Sequence, residues 1–194
     1  MDQQQVDSEK RRQRIRRAAF LCIHTLSNVA CFRAGCDVEE FHLHRHFYGR
    51  AHNNFLDTSV MKWCMLFADE NSKHHAFKVV SDKDRYTREL LAQLKMTWEE
   101  LEAYGKMLRT VRDKFIAHLD DVQRAPMPML DAVVESAAFT LLYLHRHEGK
   151  NADLVDVPPP GQVYYDRAYE DARYAYTGKP KVIRTGGRKT AFDA

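Results

Sequence analysis

In the stretch Leu108-Arg109-Thr-Val-Arg112-Asp113-Lys114-Phe-Ile-Ala-His118-Leu-Asp120, a guanidinium, a carboxylate and an imidazole fall close together. The imidazole ionises near neutrality, so His118 can take or give a proton at physiological pH. A guanidinium stays charged and presents a planar fork of donors to an anion. The chemistry these types support is proton transfer beside an anion held by Arg112, with Asp113 orienting the imidazole or holding the arginine. The same residues also fit a structural role: a hydrogen-bonded histidine at a helix end and a surface ion pair of small worth. On an ideal helix, positions six apart differ by about 120° and lie about 9 Å apart along the axis. Arg112 and His118 therefore do not meet by sharing a face. The arginine must reach, the helix must loosen near His118, or a second copy must complete the site.

Other clusters carry weaker chemistry. In His42-x-His44-x-His46, His42 and His46 share a helix face as two metal ligands would. His44 points elsewhere and no H-E-x-x-H pattern accompanies them, so a solvated polar face is the better reading and no metal site or cofactor is expected. His74-His75 are adjacent and do not both face one ion from a regular helix; they suit a turn or packing, with RNA contact as the alternative. Lys10, Arg11, Arg12, Arg14, Arg16 and Arg17 form a basic run near a helix start, where cations oppose the dipole. They suit phosphate neutralisation or, slightly better, a solvated face offset by acidic neighbours. Cys22, Cys31, Cys36 and Cys64 contain no C-x-x-C pair and read as thiols of a reducing compartment.

The elements that position these groups are helical almost throughout. Ser8 is the expected cap of a first helix with apolar stripe Ile15, Ala19, Cys22, Leu26, Val29, closed near Ala34 by a left-handed Gly35. Asp37-Val-Glu-Glu40 opens a second, carrying Phe41, Tyr48, Phe55, Val60, Trp63 and Phe67, with interruptions expected at Gly49 and Asn53-Asn54. Ser81 to Asp84 starts a shorter helix. Thr97-Trp-Glu-Glu100 is the clearest start, a capping box ahead of Leu101, Tyr104, Leu108, Val111 and Phe115. Pro126 and Pro128 separate it from a last strong helix through Leu130, Val133, Ala137, Leu141 and Leu144, with His145, Arg146 and His147 at its negative end. Val157-Pro-Pro-Pro-Gly161 breaks the pattern. A tyrosine-rich stretch follows, and Lys179 to Lys189 holds five basic residues and no acid.

The 194 residues are 44% hydrophobic and 29% charged, enough for a packed core and against disorder of the whole chain. The net charge of +3 permits a polyanionic partner without demanding one. The expectation is an all-α protein, an antiparallel helical bundle over residues 1–149, with an irregular Pro/Tyr-containing basic tail over 150–194 that packs on it or stays mobile. No secretory leader is read at the N-terminus. The apolar segments, broken by His24, Thr25, Ser27, Asn28 and Glu135, are read as too short for a bilayer span. A cytoplasmic protein without membrane contact follows as an expectation.

Arg112-Asp113-Lys-Phe-Ile-Ala-His118 resembles the R-x(4–6)-H signature of HEPN domains. Its context is similar to the AbiU2-like branch linked to abortive phage infection. Trp63-Cys-Met-Leu-Phe67-Ala-Asp followed by His74-His75 resembles the stretch that precedes the motif in that branch. The resemblance spans roughly residues 10–147. It implies a bundle of four to five helices that forms a homodimer with the Arg–His pairs near its axis, which makes a composite site across the dimer the preferred reading, and it implies metal-independent RNA cleavage, as a toxin or phage-defence effector. In that mechanism His118 takes the 2′-OH proton, Arg112 stabilises the phosphorane and Asp113 orients. Arg109, Lys114, Arg11 and Arg12 are the candidate RNA contacts. The alternative is a non-catalytic HEPN-like module that binds RNA, an antitoxin or a defence-complex partner. A third reading is a structural dimer whose tail is the functional part. In another HEPN subgroup a tyrosine two residues after the histidine is modified. Asp120 stands there in this chain, against that route of regulation.

Overall fold

The computed structural model describes residues 3–38, 46–117, 129–149, 154–157 and 161–177. Among them every regular element is helical, as the periodicity predicts. The helices are α1 (Gln3–Cys36), α2 (His46–Phe67), the single turn α3 (Ala76–Val79), α4 (Lys83–Leu94), α5 (Trp98–Val111), α6 (Asp131–Tyr143) and α7 (Gly161–Thr177). α5 runs on into a π-helical turn over Arg112–Ala117, and α6 into another over Leu144–Glu148.

Named contacts fix the directions. Arg11 near the start of α1 meets Glu148 beyond α6, and Arg33 near its end meets Asp131 at the start of α6, so these two helices are antiparallel. Tyr143 bonds to the Asp82 carbonyl and Tyr86 to Thr140, which sets α4 antiparallel to α6. The core lies between these helices. Trp63, Leu26, Leu66, Tyr86, Leu90, Leu108, Leu141 and Leu144 are all fully buried. Its polar members are paired. Trp63 Nε1–H donates to Ser136 Oγ at 2.8 Å, and the Tyr86 and Thr140 hydroxyls lie 2.7 Å apart. A buried donor without such a partner would cost on the order of 1–3 kcal/mol.

Two start signals are formed as read. Thr97 accepts from the Glu100 amide and donates its own amide to the Glu100 carboxylate. Asp82 caps α4 by accepting from the Arg85 amide. Others differ. α1 begins before Ser8, and Gly35 lies inside it, not at a left-handed cap. There the need is for space: a Cβ on Gly35 would stand 2.5 Å from Nδ1 of His52 and 3.1 Å from the Tyr176 ring. α2 passes through Gly49, Asn53 and Asn54 without a break. Its expected start at Asp37–Glu40 is not formed at Asp37 and Val38; residues 39–45 lie outside the described residues.

Part of the stretch expected as an irregular tail is helical. α7 carries its tyrosines onto α1: Tyr165 bonds to Arg33, and Tyr169 to Asp37 at 2.7 Å. Gly161 permits the approach, since a Cβ there would meet Leu26 Cδ1 at 2.8 Å and the Ala138 backbone at 3.1 Å. Leu154 and Val157 are also buried. The prolines mark a break in the chain, and the helix beyond them buries a face against the same core. The basic segment from Lys179 lies outside the described residues.

α1 is also more apolar than its polar residues suggested. An 18-residue window reaches a mean hydropathy of 1.2, long and apolar enough by length and composition to cross a bilayer. The polar side chains do not break it because they bond to their own helix: Thr25 Oγ1 donates to the Leu21 carbonyl, and Asn28 Nδ2 to that of His24. Its apolar face, with Cys22, Leu26, Val29 and Ala30 fully buried, lies in the core.

Candidate functional site

Arg112 sits where α5 widens from α to π geometry. Such turns cluster at functional sites because they re-aim side chains by inserting a residue into the helical repeat. The guanidinium is held from two sides. Nη1 donates to both carboxylate oxygens of Asp69 at 2.7 and 2.5 Å, and Nε to Asp113 at 2.8 Å. Nη2 has no hydrogen-bond partner among the described residues. Arg112 is 21% exposed and Asp69 27%, so the pair is partly withdrawn from water. The Asp69 bond first, then that to Asp113, raises the already high pKa of the arginine. It is a fixed cation.

Asp69 owes its position to the way α2 ends. The Ala68 and Asp69 amides both return to the Cys64 carbonyl, closing the last turn and carrying the chain sideways. The following loop is knit by Ser72: its amide donates to the Asp69 carbonyl, and its hydroxyl accepts from the His74 amide. Lys78 Nζ donates to the Glu70 carbonyl. This loop and α5 enclose an open cleft of about 790 Å³, lined by Met65, Asp69, Glu70, Asn71, Ser72, Lys73, His74, Arg109 and Arg112.

The surroundings of His74 in the cleft disfavour its protonated form. Burial, then the cations Arg17, Arg14 and Lys73, lower the pKa of His74 below its ordinary value. Nδ1 of that ring is buried without a hydrogen-bond partner among the described residues. Cys64 lies near Arg112 and Asp69. Burial pushes its thiol up to about 12, so it is no nucleophile at neutral pH.

Of the residues read from the sequence, Arg112, Asp113 and Arg109 come together at the cleft, and Lys114 is exposed beside them. Asp113 bonds to Arg112, one of the two roles expected of it. His118 and Asp120 lie outside the described residues. Arg11 serves elsewhere: it donates to Glu148 at 2.9 Å, to the Ser81 hydroxyl and to the Val79 carbonyl. Glu148 is 1% exposed and also accepts from the Ser81 amide at 2.6 Å. Arg11 is thus the counter-charge of a buried carboxylate, while its own side chain remains 40% exposed. Arg12 pairs with Glu9 at 2.9 Å. The members of the basic run that approach the cleft are Arg14 and Arg17, near His74.

The sequence reading did not single out Asp69, Lys73 or Arg109's neighbour Glu70. Asp69 stands in the Trp63–Asp69 string, yet its pairing joins residues 43 positions apart, which no local spacing announces. His42 and His44 lie outside the described residues. Among those described, no group of three or more His, Cys, Asp or Glu side chains is placed to hold a metal ion. Comparison of the chain with family models, curated proteins and solved structures gave no match.

Proposed function

We propose that this protein is a metal-independent endoribonuclease acting at the Arg112 cleft, in a toxin or phage-defence role. The observation that carries the reading is the fixed guanidinium of Arg112, held by Asp69 and Asp113 at the mouth of a π-helical turn, with Arg109 and Lys73 on the same cleft. A phosphorane gathers negative charge on its equatorial oxygens, and a preorganised cation there needs no rearrangement as the charge develops. RNA supplies its own nucleophile. His118 takes the 2′-OH proton, the 2′-oxygen bonds to phosphorus, and the bond from phosphorus to the 5′-oxygen breaks as that oxygen takes a proton from water. The products are a 2′,3′-cyclic phosphate and a 5′-hydroxyl.

A homodimer is part of this reading, because a second copy can bring His118 to Arg112 where one helix face does not. Phe20, Met61 and Met65 are exposed apolar side chains, and Met65 lines the cleft itself. A second reading is favoured by the engagement of Arg112. With Nε and Nη1 already given to carboxylates, the cleft suits binding of RNA or of a partner protein without cleavage.

The test is cleavage of labelled RNA in excess EDTA by the wild type and by His118→Ala, Arg112→Ala and His74→Ala, each checked for fold and oligomeric state. Loss in His118→Ala and Arg112→Ala, with cyclic-phosphate ends from the wild type, supports the nuclease. Binding without cleavage by any form supports the second reading. Loss in His74→Ala alone moves the base to His74.

A further inference from the structure

A second cavity of about 310 Å³ adjoins the Arg112 cleft, and Glu70 and Arg109 line both. We propose that it is the subsite for a single unstacked guanine base of the RNA, next to the phosphate held at Arg109 and Arg112. This deepens the nuclease reading and rests on it for RNA as the ligand. The volume falls at the lower end of the range for small-molecule sites, about 300–1,000 Å³.

The lining has the two parts a base needs. The first is aromatic. Phe77 and Trp98 lie tilted with ring centroids 5.5 Å apart, and the His75 ring lies tilted beside Phe77 at 5.2 Å. Trp98 is 42% exposed, an unusual place for a tryptophan unless its face meets something. It stands at the first position of α5, directly after the Thr97 cap, and its ring lines the cavity against Phe77. Stacking on aromatic faces is the common way proteins hold single-stranded bases.

The second part is polar and mixed in charge, with the cations Lys78, Lys83 and Arg109 beside two carboxylates. Glu70 and Glu102 line the cavity, and neither carboxylate has a hydrogen-bond or salt-bridge partner among the described residues. A carboxylate is acceptor-only. Guanine is the base whose Watson–Crick edge presents two adjacent donors, N1–H and the 2-amino group, which one carboxylate accepts together. Adenine, cytosine and uracil each place an acceptor in that pair of positions and meet repulsion. His75 is nearly buried, and desolvation lowers its pKa, so it adds a flat neutral surface to this wall. The shared Arg109 then stands between base and scissile phosphate, the order in which a nucleotide carries them.

The test uses binding alone, so its outcome is independent of cleavage. Eight-residue 2′-O-methyl oligouridylates, which lack the nucleophile, carry one guanine, adenine or cytosine at the centre and are titrated with the full chain by fluorescence anisotropy. The guanine oligomer is expected to bind at least ten-fold tighter than the others. Trp98→Ala should weaken it roughly ten-fold or more, the loss of one stacked base, while Trp98→Phe retains most of the binding. Glu102→Gln and Glu70→Gln together should erase the preference for guanine without weakening the other oligomers. Equal binding of all oligomers, no binding, or indifference to Trp98→Ala overturns the proposal. Cleavage in EDTA without regard to guanine would remove this subsite and leave the nuclease standing. Guanine binding without cleavage would do the reverse.

Discussion

The Asp69–Arg112 pair sets the position of the one cation that the proposed chemistry cannot do without, and Asp69→Asn tests it. The substitution keeps the size of the side chain and removes its charge. In the native protein one nitrogen of Arg112 faces both oxygens of Asp69 at 2.7 and 2.5 Å. With 21% and 27% exposure, the pair lies between two known limits. Fully exposed pairs are worth about 0.2–1 kcal/mol, and breaking a fully buried pair costs about 3–5 kcal/mol. A loss of about 2 kcal/mol is expected, or a fall in Tm of roughly 4–8 °C for a chain of this size. The energy belongs to the pair. In a double-mutant cycle with Arg112→Met, the coupling should be at least about 1 kcal/mol, measured by urea unfolding. Cleavage should fall by ten-fold or more with kcat changed more than KM, since Asp69 positions Arg112 and does not touch RNA. A coupling below about 0.3 kcal/mol would refute the reasoning: Arg112 would then be a solvated side chain, not a preorganised one.

Glu148→Gln removes the charge of a carboxylate that is 1% exposed and bonded to the Ser81 amide, the Ser81 hydroxyl and Arg11, and should cost about 2 kcal/mol by urea unfolding. Gly105→Ala should stabilise by about 0.5–1 kcal/mol, because the new Cβ finds Ala68 and Trp63 at ordinary contact distances of 3.6 and 3.9 Å inside a helix; a destabilised variant would contradict that packing. Burial is the leading cause that lowers the pKa values of His24, His52, His74, His75 and His145. The unfolded chain therefore binds more protons than the folded one as pH drops through the ordinary imidazole value near 6.5. Stability should be full above it and fall below it, so the urea midpoint at pH 5.5 must lie below that at pH 7.5; an equal or higher midpoint would contradict the sign.

What could be read from the sequence, and what could not, follows from the range of the interactions involved. The Thr97 capping box joins residues three apart, and the stripe Leu101, Leu108, Val111 repeats at helical spacing; both were readable because helix physics is local. Gly35 was misread because a glycine near a helix end signals a left-handed cap only when nothing packs on it. Here the His52 and Tyr176 rings, brought by α2 and α7, claim its missing side chain. α7 itself was hidden by Pro158–Pro160. Prolines report that a helix cannot continue through them; they are silent on whether another begins beyond, against which core face.

The candidate site divides along the same line. Arg109, Arg112 and Asp113 share one stretch of chain, and the string alone suggested them. Asp69 and Lys73 join that stretch only through the turn that ends α2 and the loop beyond it. Arg11 shows the converse. In sequence it is one of six clustered cations with a plausible phosphate role, yet a buried carboxylate 137 residues away claims it. The charge of a residue type is read from sequence, but whether that charge is available to a ligand depends on what the fold sets opposite it. By that measure Arg112 and Arg11 differ in setting. The Arg11 bonds leave from Nη2 where α1, the loop before α4 and the end of α6 converge, and they satisfy a carboxylate that is 1% exposed. Arg112 is gripped on Nε and Nη1 at the wall of an open cleft, which fixes its direction there. An arginine set against a buried carboxylate answers a need of the fold; one whose direction is fixed beside a cavity is the one the proposed chemistry puts to use.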